Sequence, residues 1–220
     1  MTIVLCVLAA LLGLAGATRV RSFFWSGGLL IGAIAAVMYA IPNDVAFKIY
    51  YAFGASMLPG WIGVGSLQVA FGRKLARWPG VFVILLSALQ LGLTMPATVS
   101  PAALANLDGS NGAGVLVMGG WVVPTVLFNT FGLGFAAVAA FFAWFQAFRI
   151  QDNERAMRAI GLSIVVLGIL ARSDGVYQLF QRAGAGSLFI LLDVIAFGLI
   201  WAGAEVSRLV AGRRPEPVLA

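Results

Sequence analysis

The chain has 220 residues, of which 61% are apolar and only 10% charged, with a mean hydropathy of +1.00. Soluble domains run near about 45–50% apolar and about 25% charged, so this composition belongs to a membrane chain. The net charge of +6 comes from basic residues in short breaks between apolar runs, with no aromatic-basic groove, which argues against a nucleic-acid partner.

The first apolar run, residues 2–18, ends at Ala15-Gly16-Ala17 like a signal peptide but lacks a basic leader and is followed by Arg19 and Arg21, so it reads as a retained helix. The second helix is predicted over 22–41 and stops at the turn signal Pro42-Asn43-Asp44. The third covers 45–71, with Pro59-Gly60 inside it and a kink expected there. The fourth spans 79–95, with Pro79 in its first turn. Residues 96–113 read as an external loop, and the fifth helix runs over 115–150 with Pro124 near its start. The sixth covers 154–180, the seventh 187–210, and residues 213–220 form a short tail behind one membrane domain, 1–212.

A backbone in lipid must satisfy its own hydrogen bonds, so the expected fold is all-α: seven transmembrane helices in one polytopic bundle. Orientation follows from the cations. With the N-terminus outside and the C-terminus cytoplasmic, Arg19, Arg21, Arg73, Lys74, Arg77, Arg149, Arg155, Arg158, Arg208, Arg213 and Arg214 face inward. Only Lys48, Arg172 and Arg182 face outward. This bias places the chain as a multi-pass protein of a bacterial cytoplasmic (inner) membrane, in contact with its lipids.

The chemistry is bounded by what is missing. The chain has no histidine and one cysteine, Cys6. That argues against His-ligated haem, histidine-based nucleophile activation, a Cys-ligated iron–sulfur cluster and a structural zinc. No catalytic constellation and no metal-ligating set is visible, and no cofactor is expected.

Asp193 lies 15 residues before Arg208, or roughly 22 Å along a helix at 1.5 Å per residue. Arg172 lies 14 residues beyond Arg158, or roughly 21 Å. Opposite charges at matching depth on adjacent helices pair more cheaply than either is buried alone. Asn129 lies 20 residues before Arg149, roughly 30 Å up, where tilt brings it toward the same level. A polar cluster of Asp193, Arg172, Asn129 and Asp174 is therefore expected, pinning two helices together, binding a polar headgroup or carrying a proton. Trp61, Gln68 and Gln90 are candidate lining for an adjacent pocket.

Leu191-Leu192-Asp193-Val194-Ile195-Ala196 resembles the last-helix signature of microbial rhodopsins, but Phe197 stands where that family carries its retinal lysine, so covalent retinal is excluded. Tyr50-Tyr51-Ala52-Phe53-Gly54-Ala55, Pro59-Gly60-Trp61-Ile62-Gly63-Val64-Gly65-Ser66 and Phe128-Asn129-Thr130-Phe131-Gly132 together resemble a group of uncharacterised bacterial seven-helix membrane proteins. That resemblance implies the bundle and no activity. Three roles follow from the residues: a non-enzymatic accessory or structural subunit of a larger membrane complex or an assembly factor for one, a binder or transporter of a lipid-like or small polar ligand, and, ranked last, an intramembrane enzyme.

Overall fold

The structure is a computed structural model that describes residues 2–20, 22–41, 43–102, 120–151, 153–171 and 189–211, with backbone only for 2, 189, 190, 193 and 207–211. Every regular element among the described residues is helical. In chain order these are α1 (Thr2–Arg19), α2 (Phe23–Tyr39), α3 (Asp44–Tyr50), a π-helical segment (Tyr51–Met57), α4 (Leu58–Phe71), α5 (Arg73–Thr94), α6 (Val122–Ile150), α7 (Asn153–Ala171) and α8 (Phe189–Ala211). Because α3, the π segment and α4 follow one another without a break, the chain makes seven rods among the described residues. The fold is all-α.

Six rods close a ring in which α1 packs on α2, α2 on α4, α4 on α6, α6 on α7, α7 on α8, and α8 back on α1. Its interior holds Leu29, Leu58, Ile62, Phe128, Leu162 and Phe197, all essentially inaccessible. Helix α5 stands outside the ring against α4 and the edge of α6.

Close approach between rods is bought with small residues. At the α4–α6 crossing a Cβ on Gly63 would run into the Gly132 backbone, and one on Gly132 into the backbone of Pro59 and Gly60. Elsewhere side-chain donors tie rods together: Trp25 Nε1 donates to Ile62 O (3.1 Å) and Ser66 Oγ (3.3 Å), and Trp144 Nε1 donates to Ser163 Oγ (3.0 Å). At one end of the bundle Tyr39, Phe47, Tyr50, Tyr51 and Trp121 form an aromatic cluster, and Lys48 Nζ caps the end of α5 by donating to Met95 O (2.8 Å).

Two boundaries differ from the pattern read in the sequence. Helix α5 begins at Arg73, so Pro79 lies in its interior rather than its first turn. Gly72 ends α4 and starts α5 directly, leaving no loop for the basic residues to occupy. In the third rod the irregularity is a π turn upstream of Pro59 instead of a bend at the proline itself. The described part of the fifth predicted helix starts at Val122, and residues 172–180 of the sixth lie outside the described residues.

Two helices, Arg73–Thr94 and Val122–Ile150, are long and apolar enough to cross a membrane. The apolar stretches Ile3–Arg19, Phe23–Tyr39 and Val194–Val206 are shorter.

Candidate functional site

Pro59 carries no N–H and cannot bond the carbonyl four residues back, which is Ala55 O. The stretch just before this proline, Tyr51–Met57, is π-helical, a rare form found as a local widening within α-helices. A side-chain donor for the Ala55 carbonyl comes from α6. Asn129 Nδ2 donates to Ala55 O (3.0 Å) and also to Thr125 O of its own helix (2.9 Å).

One turn away lies a second set of polar groups. Ser56 Oγ donates to Thr125 Oγ1 (2.7 Å), which itself donates to Trp121 O (2.9 Å). Gln90 of α5 reaches the same hydroxyl: its Nε2 donates to Thr125 Oγ1 (3.2 Å) and to Thr94 Oγ1 (2.9 Å). Ser56, Gln90 and Thr94 are wholly buried and Thr125 nearly so. The Gln90 Oε1 acceptor, also buried, has no hydrogen-bond partner among the described residues. The layer thus clamps the π segment, α5 and α6 through neutral hydroxyls and amides. It has no acid, base or activated nucleophile, so its chemistry is binding: it holds carbonyls and hydroxyls in place and presents one acceptor.

The residues singled out in the sequence fall in different places. Asn129 and Gln90 are both in this layer. Trp61 is not; it packs against Phe23 and Phe24 and donates to Ser87 Oγ (3.0 Å). Gln68 lies near the opposite end of α4, where its Oε1 accepts from Ser22 Oγ (3.0 Å). Trp61, Gln68 and Gln90 thus have separate hydrogen-bond partners, Ser87, Ser22 and the Thr94/Thr125 pair. Asp193 sits on α8, but its side chain, like Arg172 and Asp174, lies outside the described residues. The described bonds of Asn129 run to backbone carbonyls on the π segment and α6.

Ser56, Thr94 and Thr125 were not picked out as site residues. Their signal was present: Gln90/Thr94 and Thr125/Asn129 are both polar pairs four apart, on one face of an otherwise apolar helix. Among the described residues no three His, Cys, Asp or Glu side chains come together as a metal site. Comparison with protein-family models, with curated proteins and with solved structures gave no match.

Proposed function

We propose that the protein is a non-enzymatic, multi-pass integral protein of a bacterial cytoplasmic membrane, seven helices with the N-terminus outside, acting as an accessory or structural subunit of a larger membrane complex or in its assembly. The observation that carries the membrane part is the outward face of α5 and α6. In their most apolar stretches only 28% and 33% of residues are buried. A soluble core helix of that hydropathy would be mostly buried, whereas here Val81, Ile84, Leu85, Leu89, Phe141, Phe145 and Phe148 are all exposed. A lipid environment would cover such a belt, and this supports the membrane reading.

The accessory role is supported by the inside of the bundle. Its tight crossings are filled by its own glycines and alanines, and its buried hydroxyls and amides mostly bond one another, an arrangement suited to a rigid membrane scaffold. The test is fractionation followed by mild-detergent purification from the native membrane. The chain is expected to stay in the pellet after alkaline carbonate washing and to co-purify with larger membrane subunits in fixed ratio. Release by carbonate would sink the membrane reading, and a lone, partner-free chain would sink the accessory role.

A second reading, a binder or transporter of a small polar ligand, is favoured by one observation, the buried unpaired Gln90 Oε1. In the sequence, Asp193 and Arg172, matched in depth, are the charged cluster that such a ligand would use. Gln90→Leu separates the two. As a scaffold the variant should lose about 1–3 kcal/mol, because the buried Thr94 and Thr125 hydroxyls each lose a donor, and it should keep its partners. As a binder it should lose any thermal shift given by a co-purified polar ligand.

A further inference from the structure

The larger of the two grooves described, about 570 Å³, lies where α5 leaves Gly72 and passes α2 and the end of α4. Arg73, Lys74 and Arg77 line it, all exposed, with Gln68 at its edge and no acidic residue on its walls. This placement is electrostatically unfavourable as it stands. Arg73 and Arg77 are four apart on one helix face and repel, and the first turn of a helix is the end at which the macrodipole disfavours cations. A bound anion reverses both effects.

The groove is also two-part along its length. Val81 and Ile84 follow Arg77 on the same helix stripe, four and seven residues on, and both line the groove while exposed at 41% and 45%. Phe23, exposed at 64%, forms the facing apolar wall. Trp78, 75% exposed, sits at the level of the cations, where an interfacial aromatic belongs. With its Oε1 occupied by Ser22, Gln68 is left with its amide N–H groups to donate.

We propose that this groove binds one anionic phospholipid, its phosphate held by Arg73, Lys74 and Arg77 and an acyl chain laid along Val81 and Ile84. Guanidinium groups match phosphate oxygens in pairs, and basic pockets between helices at the cytoplasmic surface hold such headgroups. A free phosphate would use the cations but leave the apolar stripe without a purpose. The inference rests on the membrane reading above.

The experiment is thermal unfolding of the full chain in neutral detergent, titrated with phosphatidylglycerol, with phosphatidylcholine of the same acyl chains, or with inorganic phosphate. Phosphatidylglycerol is expected to raise Tm saturably and the other two are not. In Arg73→Gln/Lys74→Gln/Arg77→Gln the half-saturating phosphatidylglycerol concentration should rise about 100-fold, three charges lost near the headgroup plane. Arg73→Lys/Arg77→Lys should keep most of the response, and Arg149→Gln all of it. If the triple variant does not fold, Arg77→Gln alone should raise the half-saturating concentration several-fold. An undiminished response in the triple variant, or in Arg77→Gln where it stands in, overturns the proposal. So does an equal response to phosphatidylcholine, or one to inorganic phosphate. These failures differ from failure of the membrane reading, which shows as wild-type chain released by carbonate.

Discussion

Gly132→Leu is expected to unfold the α4–α6 crossing and to cost about 3 kcal/mol or more, the upper end of what overpacking does. The reason is that the atoms a Cβ would meet belong to the backbone of Pro59 and Gly60, not to the end of a flexible side chain that can swing aside. Gly63 faces the Gly132 backbone in return, so neither helix can yield without moving as a whole. The effect should be graded. Gly132→Ala should lower Tm clearly and Gly132→Leu should give little folded protein in detergent. Gly134, two residues on, meets nothing within 4 Å of its built Cβ and serves as the control, with Gly134→Ala near wild type. Equal behaviour of the alanine variants at 132 and 134 would show that the crossing does not depend on close backbone contact.

The second large effect is a coupling. Asn129→Leu removes the donor that Ala55 O receives from α6, and for a part-buried carbonyl that loss should cost about 1 kcal/mol, the low end of the range for an unsatisfied group. Pro59→Ala restores an N–H at the position that normally bonds that carbonyl. The two changes should therefore not add. Most of the cost of Asn129→Leu should vanish in the Pro59→Ala background, as expected for groups that share one partner. The check is a double-mutant cycle from reversible unfolding in mixed micelles. Additive values would mean that Asn129 is not the substitute donor for the proline defect.

Those two sites mark how far the sequence could be read. Helical rods, the irregularity around Pro59, and Gln90 and Asn129 as polar residues within apolar stretches all follow from residue type and spacing. Spacing also gives an expected height along each helix, because a helix rises by a fixed amount per residue. Azimuth and neighbour order were not. A count of residues places Asn129 at a height, but it cannot say that α6 presents that face to the π segment. Nor does spacing reveal that α1 closes the ring on α8 or that α5 is left outside. The basic run at 73–77 illustrates the same limit. Read as charge it carries an expected orientation, and its place as a groove wall appears only once α5 is known to turn back along α4 from Gly72.

That turn is a single residue. Gly72 has φ 86° and ψ 172°, a region that glycine alone adopts readily, and nothing lies within 4 Å of where its Cβ would be. The constraint is torsional rather than one of crowding. Gln68 on one side and Arg73, Lys74 and Arg77 on the other are thus joined by one pair of dihedral angles, with no slack between them. A groove hinged on a loop could open and shut like a jaw. Here the spacing of the two walls is set by the two torsions of one glycine, so any other residue at position 72 would re-aim the basic end of α5 relative to Gln68.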